Sequence, residues 1–320
     1  MARTTASTRD IYGKTLLELG REDTNIVVLG GDLNKSVMTT YFAKEFPQRF
    51  FDCGAAEQNI ISIAAGLASS GKTPFASTFA VFGTARPFDQ IRISVSQPHL
   101  NVKIVCTHAG ITVGEDGVSA QGIEDLALMC ALPGFNVVAP ADAVEAAQAV
   151  RVAAKTQGPF YIRLYRPATP VVCGPDYKFT LGKAALMRDG SDATIIAYGI
   201  MVAAALDAAE SLEKQGLRCR VLNMSTLQPF DADAVTRAAR ETGAIVTAEE
   251  HYRHGALASL VAQTLAEQSP APQGVVALDG YAESGKADEL LAKYGLTARN
   301  IERVVLETVG RKQQGLSCSA

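Results

Sequence analysis

Between residues 25 and 165 the sequence alternates short, nearly continuous apolar runs with longer stretches whose apolar residues recur at helical spacing. Apolar runs of four to seven residues with no polar alternation belong to strands buried on both faces, the pattern of a parallel sheet covered by helices. Strands are expected at 25–31, 50–53, 74–79, 102–107, 136–139 and 160–165, and helices at 9–20, 55–69, 85–97, 122–132 and 143–157. The pattern breaks at Arg166-Pro167-Ala168-Thr169-Pro170 and the polar Cys173-Gly174-Pro175-Asp176-Tyr177-Lys178, where three prolines mark a linker. A second series follows, with strands at 193–198, 219–223, 244–248 and 275–278, helices at 201–215, 231–242 and 255–267, and a terminal helix pair. The expected fold is α/β with two domains, each a mostly parallel, doubly wound sheet: residues 1–170, a linker at 171–185, and residues 186–320. A chain of 320 residues suits two such domains, each with its own core. The tail at 311–320 has little to bury and is expected to fray.

Charge excludes one class of partner. A formal net charge of -3, with no basic run, argues against a nucleic-acid surface, so any phosphate recognition must come from a few local arginines or histidines. No segment is apolar and long enough to span a bilayer or to serve as a signal peptide, so no membrane contact is expected. Six cysteines, at 53, 106, 130, 173, 219 and 318, show no C-x-x-C spacing and read as reduced thiols. The expected location is the cytoplasm.

Chemistry gathers at the strand ends. Asp52-Cys53-Gly54-Ala55-Ala56-Glu57-Gln58-Asn59 closes an apolar strand with a turn glycine and sets Glu57 in the first turn of the next helix. Alone, that acid need only complement the positive helix terminus. Ser77-Thr78-Phe79-Ala80-Val81-Phe82, Thr107-His108-Ala109-Gly110 and Gly114-Glu115-Asp116-Gly117 recur after successive strands, so four polar or aromatic clusters converge where open α/β sheets bind ligands.

Gly54-x-x-Glu57-Gln58, Ser77-Thr78-Phe79-x-x-Phe82 and Gly114-Glu115-Asp116-Gly117, with Thr247-Ala248-Glu249-Glu250-His251 and His254-Gly255-Ala256-Leu257, form a specific combination. It resembles the C-terminal section of transketolase, in particular the separately encoded section of split transketolases, over about the whole chain. The resemblance implies a pyrimidine-binding domain in residues 1–170 and the family's C-terminal domain in 186–320. It also implies thiamine diphosphate as cofactor and transfer of a two-carbon ketol unit from a ketose phosphate, or a modified ketose, to an aldose. Glu57 would be the catalytic carboxylate on N1′ of the aminopyrimidine, where a carboxyl among apolar neighbours such as Ile60 and Ile61 can share a proton with the ring. Phe79 and Phe82 would lie against that ring and help bind the cofactor. Arg9, Ser36, His108 and Arg166 would bind the far end of the sugar phosphate, and Asp116 the hydroxyl beside the reacting carbon.

The Gly-Asp-Gly motif by which the family holds Mg²⁺ and the diphosphate is missing, since Gly30-Gly31-Asp32-Leu33 lacks the second glycine. The resemblance therefore implies a partner, an N-terminal subunit that carries the diphosphate domain and its Mg²⁺, in an α2β2 heterotetramer active only when assembled. One departure touches the substrate. The family reads Gly-Glu-Asp-Gly-Pro-Thr-His-Gln where this chain has Ala120 in the histidine's place, which points to a donor with another hydroxyl pattern, a sulfonate end or a branched skeleton. Two other readings stay open: another thiamine enzyme, such as a deoxyxylulose-phosphate synthase or a 2-oxoacid dehydrogenase β subunit, and a non-catalytic binding subunit.

Overall fold

The structure, a computed structural model, describes residues 3–317. β1 (Thr5–Ser7) leads into α1 (Thr8–Glu22), whose first turn is closed by the Ser7 hydroxyl accepting the Asp10 N–H at 3.3 Å. Then come β2 (Ile26–Gly30), α2 (Thr40–Glu45), β3 (Phe50–Asp52), α3 (Glu57–Ser69), β4 (Thr73–Ala76), α4 (Ala80–Thr84), α5 (Phe88–Gln90) and β5 (Lys103–Cys106). The first half ends with α6 (Asp125–Cys130), β6 (Asn136–Val138), α7 (Ala143–Lys155), β7 (Phe160–Arg163) and β8 (Ala168–Pro170). The second half begins with β9 (Ala185–Arg188), β10 (Ala193–Ala197), α8 (Met201–Glu213), β11 (Cys219–Asn223), β12 (Thr226–Gln228) and α9 (Ala232–Thr242). It closes with β13 (Ile245–Tyr252), α10 (Leu257–Gln268), β14 (Gln273–Leu278), α11 (Ala287–Lys293) and α12 (Ala298–Ser317).

Two twisted sheets result. Seven strands in the order β12-β6-β7-β5-β4-β2-β3 form one, parallel except for β12. Five in the order β14-β13-β10-β11-β9 form the other, parallel except for the edge strand β9. This is the two-sheet α/β architecture expected from the sequence. β12 is the surprise, because a strand from the second half completes the first sheet.

The halves also share apolar packing. One buried cluster lies under the first half around Tyr12, Phe75 and Phe160, and a second around Ile195, Val221 and Val305 in the second half. A third runs across both, joining Ile60, Leu126 and Phe135 to Met224, Val235 and Leu257, so the cores are not as separate as expected.

Two local expectations are corrected. The single helix expected at 85–97 is divided: α4 and α5 flank Pro87, which has no N–H to donate, and a π-helical segment, Ile91–Ser96, continues the chain. The proline-rich linker is bonded at both ends. β8 pairs with β1, and Asp142 at the start of α7 accepts the Val172 and Cys173 N–H groups, each at 2.7 Å. The expected fraying from residue 311 does not hold over the helix, since Arg311 donates to Gln273 O at 2.8 Å and Lys312 to Thr242 O at 2.7 Å; residues 318–320, with Cys318, lie outside the described residues. The other five cysteines are free thiols, and among the described residues no helix is long and apolar enough to cross a membrane.

Candidate active site

The carboxyl ends of the parallel strands β2, β3, β4, β5 and β7 open on one edge of the seven-stranded sheet, and the residues singled out in the sequence stand there. Glu57 is the first residue of α3 and is only 5% exposed. Its floor is made by Ile60, Ile61, Ala76, Thr78 and Gly83, around a cavity of about 10 Å³. Gly83 is required there: a Cβ would stand 2.5 Å from Cys106 Sγ and 2.9 Å from Thr78 Cγ2.

The Glu57 carboxylate has a partner that the sequence reading missed. Arg86 Nη1 donates to Glu57 Oε1 at 3.0 Å, and the same guanidinium lies 4.0 Å from the centre of the Phe82 ring. Phe82 and Phe79 are near-parallel at 5.9 Å, and Phe79 stacks on the His108 imidazole at 3.7 Å. An unbroken line of flat groups thus runs from Arg86 on Glu57 to His108. The spacing of Phe82 and Arg86, one helical turn apart, was the available signal for the arginine.

His108 begins the polar end of that line. Its backbone has φ 57°, a left-handed conformation uncommon for a non-glycine residue and frequent at functional sites. Its Nδ1 pairs with Thr107 Oγ1 at 2.8 Å. Burial, then the neighbouring Arg9 and Arg166, push its pKa down to about 3, so the imidazole is neutral across the physiological range. Arg9 is itself lowered by burial and by Arg166.

Arg9 Nη1 donates to the Ser36 carbonyl at 3.0 Å while its Nε is buried without a partner, an orphaned donor suited to an anionic oxygen. With Lys35, Ser36, Met38, Tyr41 and Lys44 it lines a cleft of about 750 Å³, to which Lys35 and Lys44 add positive charge that the sequence reading did not assign. Arg166 Nη1 lies 3.5 Å from both the Glu115 and Asp116 carboxylates and also donates to Val113 O. Asp116 is therefore exposed and ion-paired, at the mouth of the site. Ala120 is buried, 7% exposed, at the end of the same loop.

The expected residues thus form two groups. Glu57 is linked through Arg86 to Phe82, with Phe79 beyond it, while Arg9 and Ser36 line the basic cleft and Arg166, paired with Asp116, stands near enough to lower the Arg9 pKa. His108 lies between the two groups, stacked on Phe79 and under the charge of Arg9 and Arg166. One buried acid linked to aromatic rings suits an aminopyrimidine, and the unpartnered Arg9 donor in a basic cleft suits the anionic end of a small substrate.

Residues 4–171 match the family Transketolase, pyrimidine binding domain, and residues 182–301 match Transketolase, C-terminal domain. The putative transketolase C-terminal section of Methanocaldococcus jannaschii is 42% identical over 305 residues, covering 94% of this chain and 96% of that protein. The 6-deoxy-6-sulfo-D-fructose transketolase subunit SqwH of a Clostridium species is 43% identical over 305 residues, 95% of each chain. A solved split gene transketolase, described as an inactive β4 tetramer, superposes with a TM-score of 0.90 at 49% identity, covering 96% of this chain and 99% of its own. Matches of this extent over both halves leave one conclusion, that the chain belongs to the thiamine-diphosphate-dependent transketolase family and corresponds to its C-terminal section.

Proposed function

We propose that the chain is the C-terminal subunit of a two-subunit transketolase that moves a two-carbon ketol unit from a ketose phosphate or modified ketose to an aldose. The observation that carries this reading is the unbroken line from Glu57 through Phe82 and Phe79 to His108 and the Arg9–Arg166 cleft. A buried carboxylate at one end and a basic cleft at the other support the two contacts that a thiamine enzyme acting on a charged sugar requires. Bound here, thiamine diphosphate supplies the nucleophilic carbon and the electron sink.

The chain's own residues then divide the work. Glu57 holds a proton against N1′ of the aminopyrimidine. Arg86 occupies both Glu57 and the Phe82 face, so it would have to leave both for the ring to reach Glu57, and Phe79 and Phe82 would then orient the ring. Neutral His108 donates or accepts a hydrogen bond without adding charge. Arg9, Ser36 and Arg166 bind the substrate's far end, and Asp116 reads the hydroxyl beside the reacting carbon once its pair with Arg166 loosens.

The pyrimidine-binding part comprises residues 1–170, the linker 171–185 and the C-terminal part 186–320. The diphosphate and Mg²⁺ fall to an N-terminal subunit, in an α2β2 heterotetramer of cytoplasmic carbohydrate metabolism. The absence of a Gly-Asp-Gly motif from this sequence supports that division.

The test is Glu57→Gln, assembled with the partner. Exchange of the cofactor's C2 proton should slow by about two to four orders of magnitude, with assembly and melting temperature held near wild type. Near-normal exchange in the assembled variant refutes the role.

A further inference from the structure

The substrate loop, residues 110–121, is poorly able to hold its own shape. Gly110, Gly114 and Gly117 sit at φ 75°, 82° and 76°, and the segment between them is built from short 3-10 turns. Its internal bonds from 114 onwards are single-turn contacts: Gly117 N–H to Gly114 O, Ala120 N–H to Gly117 O and Gln121 N–H to Val118 O. Yet the loop carries Asp116 and Ala120, where small displacements matter most.

Its order comes from the second half of the chain, at three points spread along its length. Near the start, the Thr112 N–H donates to Glu250 Oε1 of β13 at 2.7 Å, and Gly110 packs so closely on that carboxylate that a Cβ would come within 2.4 Å of all its carboxyl atoms. In the middle, Ser284 Oγ donates to Glu115 O at 2.6 Å, and the Gly285 carbonyl lies 3.3 Å from where a Gly114 Cβ would be. At the end, Gln121 Nε2 donates to Glu283 O at 3.0 Å. The bracing segment, residues 279–286, is itself anchored, because Glu283 is ion-paired with Lys293 of α11.

We propose that the C-terminal half acts in donor recognition as a template for the substrate loop, with Ser284 as a positioning residue. Ser284 touches no reacting group; it fixes the Glu115 carbonyl and through it the adjacent Asp116 beside Arg166. Losing the bond should let the loop sample conformations in which Asp116 misses the donor hydroxyl, weakening donor binding while leaving the Glu57 pocket untouched. The inference rests on the transketolase reading for its substrate but not for its geometry.

The experiment compares wild type, Ser284→Ala and Ser284→Thr, each assembled with the partner subunit and thiamine diphosphate. Five quantities are read: amide hydrogen exchange over 114–121, the KM and the kcat for a ketose-phosphate donor, the exchange rate of the cofactor's C2 proton, and the melting temperature. Ser284→Ala should speed loop exchange and raise KM by about fivefold, the change expected for one ordinary hydrogen bond, with kcat and C2 exchange near wild type. Ser284→Thr, which keeps the hydroxyl, should restore both. Unchanged loop exchange in Ser284→Ala overturns the proposal. So does a parallel loss of C2 exchange, melting temperature and kcat, which marks a general scaffold contact. If assembled wild type turns over no ketose, the transketolase reading fails alone, and loop exchange still decides the brace.

Discussion

Ala120 presents a single methyl group at the end of the substrate loop, with Gln121 beside it held by the Glu283 carbonyl. A methyl group gives no hydrogen bond to a donor hydroxyl, so on the transketolase reading an ordinary pentulose phosphate would lose one contact in this site. Ala120→His, assembled with the partner, should therefore raise kcat/KM on xylulose 5-phosphate by about one to two orders of magnitude. Steady-state rates on that donor decide it: an unchanged value, with wild type already at high efficiency, makes the substitution neutral. Strand-end position singled out Glu57, Phe79 and His108 in the sequence, while Arg166 came only through the resemblance to the family. The Arg86–Glu57 pair was not legible there, because it joins residues 29 positions apart whose meeting depends on how α3 packs against α5 and the π-helical segment that follow Arg86.

Among the elements, α7 shows how a helix terminus can join two segments. Asp142 is fully buried and accepts four backbone N–H groups: Val144 at 2.9 Å and Glu145 at 3.0 Å within the helix, Val172 and Cys173 at 2.7 Å from the linker. Removing the carboxylate loses the cap and strands donors in the interior. Asp142→Ala should cost about 3 kcal/mol by denaturant unfolding, well above the roughly 1 kcal/mol of an exposed cap. A loss under 1 kcal/mol would mean that the linker finds other partners. The long helices and buried parallel strands were readable because their apolar period is sustained over many residues. β1, β8 and β12 were not: Thr-Ala-Ser, Ala-Thr-Pro and Thr-Leu-Gln carry no apolar run, unlike the equally short β3 and β6, and these strands exist only through their partners.

Over the whole molecule, the junction of the halves is ionisable. Arg163, fully buried, bonds to Asp125, the Tyr165 hydroxyl and the Glu250 carbonyl, while Glu249 caps α10 by accepting the Leu257 and Ala258 N–H groups. Burial pushes Glu249 and Glu250 up to about 7 and pushes His251 down to about 4. The signs oppose. The two acids hold protons more tightly when folded, so their contribution is most favourable below their ordinary 4.5 and declines as pH rises to about 7. His251 must stay neutral when folded, so its contribution is full above its ordinary 6.5 and is lost as pH falls towards 4. Between about pH 5 and 6.5 they partly cancel. His251→Gln should remove one side of that balance, making the variant gain on the order of 1–2 kcal/mol relative to wild type on going from pH 7 to pH 5. Equal pH dependence of unfolding in the two proteins would show that His251 does not titrate as its burial implies.

β12 carries a consequence for inheritance. The seventh strand of the first sheet is encoded some ninety residues after its neighbour β6, and the buried Glu145 of α7 accepts from Asn223 at 2.9 Å and from Ser225 at 2.6 Å on the approach to that strand. A gene broken in the proline-rich stretch between the halves would sever a sheet rather than a tether. Each product would carry an unpaired strand edge, open to pairing with another chain, so the geometry favours inheritance of the two halves as one unit.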